Sequence, residues 1–319
     1  MFDIKRYTGS DRLQWDAFAA ASKNATFLFD RGYMDYHHDR FDDFSLMFYL
    51  DGELYALLPA NVITDGKDGG GKTLVSHQGL TYGGLITDLR ASAADVDTLF
   101  AEMNTFLRGE GFTKVIYKPV PWIYHKYPAE EDLYSLFRTC HAQLTVRNIA
   151  SVIDLERPAK WRRDRRYAAN KAHTDGITVA ESDDFEGFWK ILDDNLMNKY
   201  GARPVHSLQE ITLLKSRFVD DIRLFMAEKG GEMLGGTVIF YNRYIAHAQY
   251  ISASGRGKHL HAVDALFRTI IDHHTEGLRY FDFGTSNEDG GRVLNDTLIY
   301  QKEGFGGRGV CYDTYQWNL

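Results

Sequence analysis

The 319-residue chain predicts a mixed α/β (α+β) fold in which one unit is repeated in tandem. Three observations lead there. Short β-branched and aromatic segments alternate with segments of helical period along the whole chain. In each half, three adjacent strand-like segments are joined by short, turn-prone connections. Each trio is followed by an amphipathic helix and another strand, the order that brings a chain back for a parallel neighbour by a right-handed crossover. A mixed central sheet flanked by helices follows for each unit. The boundary falls near residue 150, giving expected domains 1–150 and 151–319 that share pattern with little residue identity.

In the first half, "FDIKRY" reads as a strand and residues 10–38 as two helical stretches. "FSLMFYLDG", "ELYALLPANVIT" and "KTLVSHQGLTYGG" read as the strand trio. "AADVDTLFAEMNTFLRGEG" is a helix, "FTKVIYKPV" a strand and "EEDLYSLFRTC" a helix. The second half opens on the strand "NIASVIDL". Pro158 is placed to open a helix through the basic segment and Gly176 to end it. "ITVAES" is a strand. Phe185, Phe188, Ile191, Leu192 and Leu196 line one face of the next helix, with Gly201 as its stop. Ser207 and Glu210 form a capping-box pattern before another helix. The trio "IRLFMAEK", "MLGGTVIFYN" and "YIAHAQYISAS" precedes a helix over about 259–275. The strand "RYFDFGT", the helix "VLNDTLIYQKEG" and the strand "GVCYDTYQW" complete the chain.

Composition narrows the function. Hydrophobic residues at 44% and charged residues at 25% are ordinary for a soluble globular protein. No apolar run is long enough to cross a bilayer and no signal-peptide core opens the chain, so the expected location is cytoplasmic. Cys140 and Cys311 are too few for a disulfide framework. The net charge is −7, yet residues 160–173, "KWRRDRRYAANKAH", carry six Lys or Arg against one Asp. A basic island on an acidic chain argues against DNA binding, which needs a broad positive surface, and leaves room for one local anion site.

"GKDGGGKT" at 66–73 has the spacing of a phosphate-binding loop. That loop must lead into a helix. Here it leads into "KTLVSHQGLTYGG", whose β-branched residues and glycines oppose one, so a hairpin connection is expected. His37-His38 and His273-His274 are adjacent pairs that point apart on a helix, and "HLH" at 259–261 lacks acidic or cysteine partners at metal spacing, so no metal is expected.

The element order resembles the GNAT acyltransferase fold, and its tandem use resembles FemAB-like proteins. "RRDRRYAANKAHTDGITV", "LRYFDFGTSN" and "YQKEGFGG" are similar to that family's basic helix, its strand ending in Asp-Phe-Gly and its lysine before a Phe-Gly turn. "TFLFDRGYMDYHHDRF" and "SHQGLTYGGL" resemble the first domain of bacterial members. The resemblance implies transfer of an acyl or aminoacyl group to an amine. The acceptor would be a small molecule, a sugar or a peptidoglycan or other cell-envelope precursor. The donor would be acetyl-CoA or another acyl-CoA. Aminoacyl-tRNA, used by classical members, is less favoured because the extra helical hairpin of those enzymes is not evident here. The second domain would bind donor and carry the chemistry; the first would help form an acceptor groove. "SASGRGKHLHAVDALF" stands where the family binds the CoA pyrophosphate, offering Gly255, Arg256, Gly257 and Lys258, but without the regular spacing.

Transfer to an amine needs a neutral nucleophile, a stabilised oxyanion and a proton for the leaving group. Asp282 ends a strand where open sheets place their sites, and is a candidate to orient or deprotonate an amine. Lys302 is a candidate oxyanion or phosphate partner, Glu303 the second choice of base and Tyr250 a candidate proton donor. On a regular strand, His247 and Gln249 would share one face, and Ala246, Ala248 and Tyr250 the other. Arg162 and Arg166, one helical turn apart, are candidates for one substrate anion. His77, Tyr82 and Ser286 complete the expected substrate-binding set. A ligand-binding protein that has lost catalysis is the competing class.

Overall fold

The computed structural model describes residues 1–64 and 71–319 and divides into two compact units. The first comprises Met1–Asn148, Asp289–Arg292 and Cys311–Leu319; the second comprises Ile149–Glu288 and Val293–Val310.

The first unit holds one antiparallel sheet in the order Phe2–Arg6, Leu46–Leu50, Glu53–Leu58, Ile86–Thr87. A second set of strands runs from the end of Arg308–Asn318 through Phe112–Tyr117, Lys72–Val75 and Asn61–Thr64 to Asp42–Asp43. "ELYALLPANVIT" is therefore two strands in two sheets, not one. Pro59, which has no N–H for a ladder, stands at the break. The helix Ala93–Gly109, capped by Ser92, lays Leu99, Phe100 and Met103 on the core with Tyr117 and Trp317. Of the two helical stretches expected over 10–38, Arg12–Ala21 forms, whereas 27–37 is a series of single turns. Asp30 caps one of these turns, and the buried Arg31 guanidinium lies 3.4 Å from the centroid of the Tyr7 ring.

In the second unit the sheet order is Thr178–Ser182, Ile222–Lys229, Glu232–Asn242, Ile245–Ala253, Tyr280–Thr285 and the second half of Gln143–Asp154. The Ile245–Ala253/Tyr280–Thr285 pair is parallel and the rest antiparallel. The crossover is the helix Ala262–His273, whose Leu266, Phe267 and Ile270 meet Phe281, Phe283 and Phe305 in one apolar cluster. The helix Phe185–Tyr200 ends at Gly201 in the left-handed conformation, and Ser207 and Glu210 form the expected capping box.

Helix boundaries in the second unit also differ from expectation. The basic helix begins at Arg163 rather than Pro158. Residues 159–162 are held extended against the chain's later turn: Arg162 N donates to Gly304 O at 2.9 Å, and the Trp161 ring meets Phe305. The helix expected over 259–275 is two helices, Gly255–His259 and Ala262–His273, separated by His261 at φ 61°.

Candidate active site

The parallel strands Ile245–Ala253 and Tyr280–Thr285 pair only at Ile245–Tyr280, Ala246–Phe281 and His247–Asp282. Beyond those residues they part, and the causes are local. The register with Glu232–Asn242 slips so that Val238 faces Tyr250 while Ile239 faces Ala248, leaving Gln249 as a bulge that bends its strand. On the other strand, Gly284 takes φ 71°, and pairing with Gln143–Asp154 shifts between Asp282 and Thr285. A cavity of about 630 Å³ opens at the parted ends. Ile251, Ser252 and Phe283 come from the strands, Phe267 and Phe305 add apolar walls, and Lys302 supplies a cation. The C-terminal ends of parallel strands are where open sheets hold ligands.

The corresponding seam of the first unit stays shut. After Val75 and Ile116 the zip continues, with Ser76 N on Ile116 O, Lys118 N on Ser76 Oγ and Gly83 N on Lys118 O, at 2.7–2.9 Å.

Lys302 is buried near the C-terminus of the helix Asp296–Gly304. Its Nζ donates to Gly284 O at 2.9 Å and Thr285 O at 2.7 Å. An ammonium has three donors, so one remains for a ligand. Burial lowers its pKa to about 8, against the opposing pull of Asp282. Asp282 is fully buried. Its Oδ2 lies 2.8 Å from His247 Nδ1, and its Oδ1 accepts from Gly284 N at 2.7 Å. The structure thus brings Asp282 and Lys302 to either side of Gly284, and adds His247. The sequence pattern gives this histidine no role, because a pairing across two strands leaves no local signal. Asn195 carries no sequence signal either: its side chain donates to Ser252 Oγ and Ala253 O and accepts from Lys258 Nζ at 2.7–2.8 Å, fixing one wall of the cavity.

The other expected residues are placed as follows. The bulge carries Tyr250 off the face of Ala246 and Ala248, which pack in the cluster under Ala262–His273. Tyr250 instead meets Trp189, and its hydroxyl lies 2.5 Å from His206 Nδ1 and accepts from His206 N. Burial raises its pKa to about 12. Glu303 is exposed. Ser286 is buried, tied by its backbone to Ile149 and Asn295, and its hydroxyl has no hydrogen-bond partner among the described residues. Arg162 caps the basic helix, bonded to both oxygens of Asp164 and to Tyr300 O, while Arg166 is exposed one turn on. His77 and Tyr82 belong to the first unit. His77 is buried at φ 55° and stacked on His37, and burial lowers its pKa to about 3. Tyr82 donates to Thr26 Oγ1.

In the loop at 254–258, Ser254 Oγ accepts from Gly257 N at 3.0 Å. Gly257 is obligatory, since a Cβ there would lie 1.9 Å from Leu234 O. The first turn leaves the amides of Gly255 and Arg256 without intrahelical partners. Arg256 pairs with Glu232, and Lys258 lines the cavity. The spacing expected to be irregular is regular: Gly255 and Gly257 stand as in the loop that the sequence resembles, with Ser252 where that loop has Arg or Gln. Residues 66–70 of "GKDGGGKT" lie outside the described residues, and Lys72 and Thr73 open a strand, so no helix follows them.

Residues 159–289 match the acetyltransferase (GNAT) domain model. The chain has a FemAB-like tandem GNAT fold. It is similar to FemX, with a TM-score of 0.70 at 11% identity over 99% of this chain and 97% of that one. L-PGS from Bacillus licheniformis superposes with a TM-score of 0.60 at 14% identity, over 98% and 92% of the two chains. A tandem GNAT protein from the clavulanic acid biosynthesis pathway gives 0.53 at 12%, over 100% and 98%. Likenesses at these identities are of fold. No curated protein sequence matches the chain. The matched segment of this tandem GNAT chain includes the parted strands and the 254–258 loop and ends before Lys302. Among the described residues, no helix is long and apolar enough to cross a membrane.

Proposed function

We propose that the second unit transfers an acyl group from a thioester of the coenzyme A type to an amine, by direct attack and without a covalent enzyme intermediate. One observation carries this reading: the two parallel strands part, and the space between them holds an apolar cavity with a partly committed lysine on its wall. A thioester arm is long, narrow and mostly neutral, as such a slot requires. The free amides of Gly255 and Arg256 at a helix start, with Lys258 beside them, suit the phosphates of the donor. The third N–H of Lys302 would meet negative charge as it develops on the thioester oxygen or the departing sulfur. The acceptor is an amine on a small molecule, a sugar or a cell-envelope precursor. The closed seam of the first unit favours one transfer site per chain.

The test is isothermal titration with acetyl-CoA, with ATP as control, followed by a screen of amines for acetyl transfer. Saturable heat with acetyl-CoA alone, at one site per chain, is expected. Silence with acetyl-CoA and with longer acyl-CoA thioesters would overturn the donor assignment and turn attention to aminoacyl-tRNA. Binding without transfer to any amine would favour a non-catalytic binding protein.

A further inference from the structure

We infer that His247 Nε2 is the base that takes a proton from the incoming ammonium, and that Asp282 acts through it as a positioning residue. This rests on the acyl-transfer reading above but makes its own claim about which atom moves the proton.

The argument is geometric. Asp282 is fully buried and has both oxygens engaged, by His247 Nδ1 and Gly284 N. It offers no lone pair in the open to an acceptor amine. A carboxylate on Nδ1 fixes the proton there and leaves the lone pair on Nε2. Nε2 has no hydrogen-bond partner among the described residues, and 13% of the histidine side chain is exposed. The ring stands at the last paired position before the strands part.

Gly284 completes the arrangement. Its missing side chain uncovers the edge of the imidazole that carries Nε2: a Cβ there would sit 3.2 Å from Cε1 and 3.9 Å from Nε2. The same glycine gives its carbonyl to Lys302. A base and a cation therefore flank one bare backbone residue, the first to take the proton and the second to meet the oxyanion.

The protons balance. An ammonium acceptor loses two on becoming an amide N–H. His247 Nε2 takes the first and passes it to water. The neutral nitrogen attacks the thioester carbon, the C–N bond forms and the C–S bond breaks. The second proton goes from nitrogen to the departing thiolate.

Two measurements test this. Nitrogen-15 NMR of the histidine rings, assigned with His247→Asn, should show His247 protonated on Nδ1 in the wild type and should lose that preference in Asp282→Asn. An Nε2–H tautomer in the wild type overturns the proposal, whatever the substrate. The second measurement compares acetyl transfer from acetyl-CoA to ethylamine, an ammonium ion at neutral pH, with transfer to hydroxylamine, which is neutral there. His247→Asn keeps an N–H for Asp282 but has no base. It should lose about 10²–10⁴-fold with ethylamine and stay within a few-fold of wild type with hydroxylamine. Equal rates of wild type and variant with ethylamine overturn the proposal, as does an equal loss with both amines when acetyl-CoA affinity is unchanged. Wild type that binds no acetyl-CoA marks failure of the donor assignment instead, and the tautomer still decides the role of His247.

Discussion

Replacing Lys302 with Met separates the chemistry of this site from its stability. Burial lowers the lysine pKa from 10.5 to about 8, so keeping it charged at neutral pH costs about 3 kcal/mol. Its two bonds to Gly284 O and Thr285 O offset that at roughly 1.5–3 kcal/mol each, the range for hydrogen bonds to a charged group. Methionine keeps much of the volume and removes both terms, so the net loss of folding free energy should be about 0–3 kcal/mol. Activity should change far more. Losing one preorganised donor to a developing oxyanion costs about 10²–10³ in kcat. The pH profile adds a second signature. With a pKa near 8, about 90% of Lys302 is charged at pH 7 and about 10% at pH 9. Wild-type transfer should therefore decline above about pH 8, and Lys302→Arg should move that decline well upward. The assay is steady-state release of free thiol from acetyl-CoA with an accepted amine, between pH 6 and 10, alongside urea unfolding. Full activity in Lys302→Met, or a wild-type rate that does not decline up to pH 10, would refute the reasoning.

Three further outcomes are expected. Tyr250→Phe leaves the buried His206 without its hydroxyl partner and should cost about 1–3 kcal/mol in urea unfolding while kcat stays within a few-fold; a hundred-fold fall in kcat would return the role of proton donor to Tyr250. Gly284→Ala places a side chain at φ 71° against the His247 ring and should destabilise the protein by about 1–2 kcal/mol, read as a lower urea midpoint at unchanged slope. Asp132, bonded to the Tyr117 hydroxyl, has its pKa raised by burial to about 6. Between pH 4 and 6 the folded state then holds a proton that the unfolded state has lost, so stability falls as pH rises, by about 3 kcal/mol in all. Asp132→Asn should flatten that slope and be the more stable form at pH 7; an unchanged slope would sink the assignment.

Much of the fold was legible because its signals are local. The capping box at Ser207 and Glu210, the stop at Gly201 and the apolar face of Phe185–Tyr200 each lie within a few residues of what they specify. The order of strands and crossover helix followed from the same kind of signal. What could not be read depends on contacts distant in sequence. Nothing near Pro158 reveals that Arg162 will bond Gly304, and so delay the helix by more than a turn. Alternation along "YIAHAQYIS" assigned faces correctly up to the bulge, which is visible only in the register with the neighbouring strand. Candidate chemistry divides the same way. Asp282 and Lys302 stood out by their place at element ends, and the structure brings them to one glycine. The pairing of His247 with Asp282 spans 35 residues and is set only by the register of two strands.

The parted strands leave two short stretches of sheet edge facing each other with no strand between them. Unpaired edges invite added strands, and proteins usually protect them. Here residues of the helices Phe185–Tyr200, Ala262–His273 and Asp296–Gly304 line the gap. A guest with peptide-like amides along its length could complete the ladder, reading the gap as a missing strand. A coenzyme A arm carries two such amides. Donor choice at this site would then be made by main-chain bonding to the carrier rather than by the cargo, and several acyl groups could travel on one arm without altering its grip.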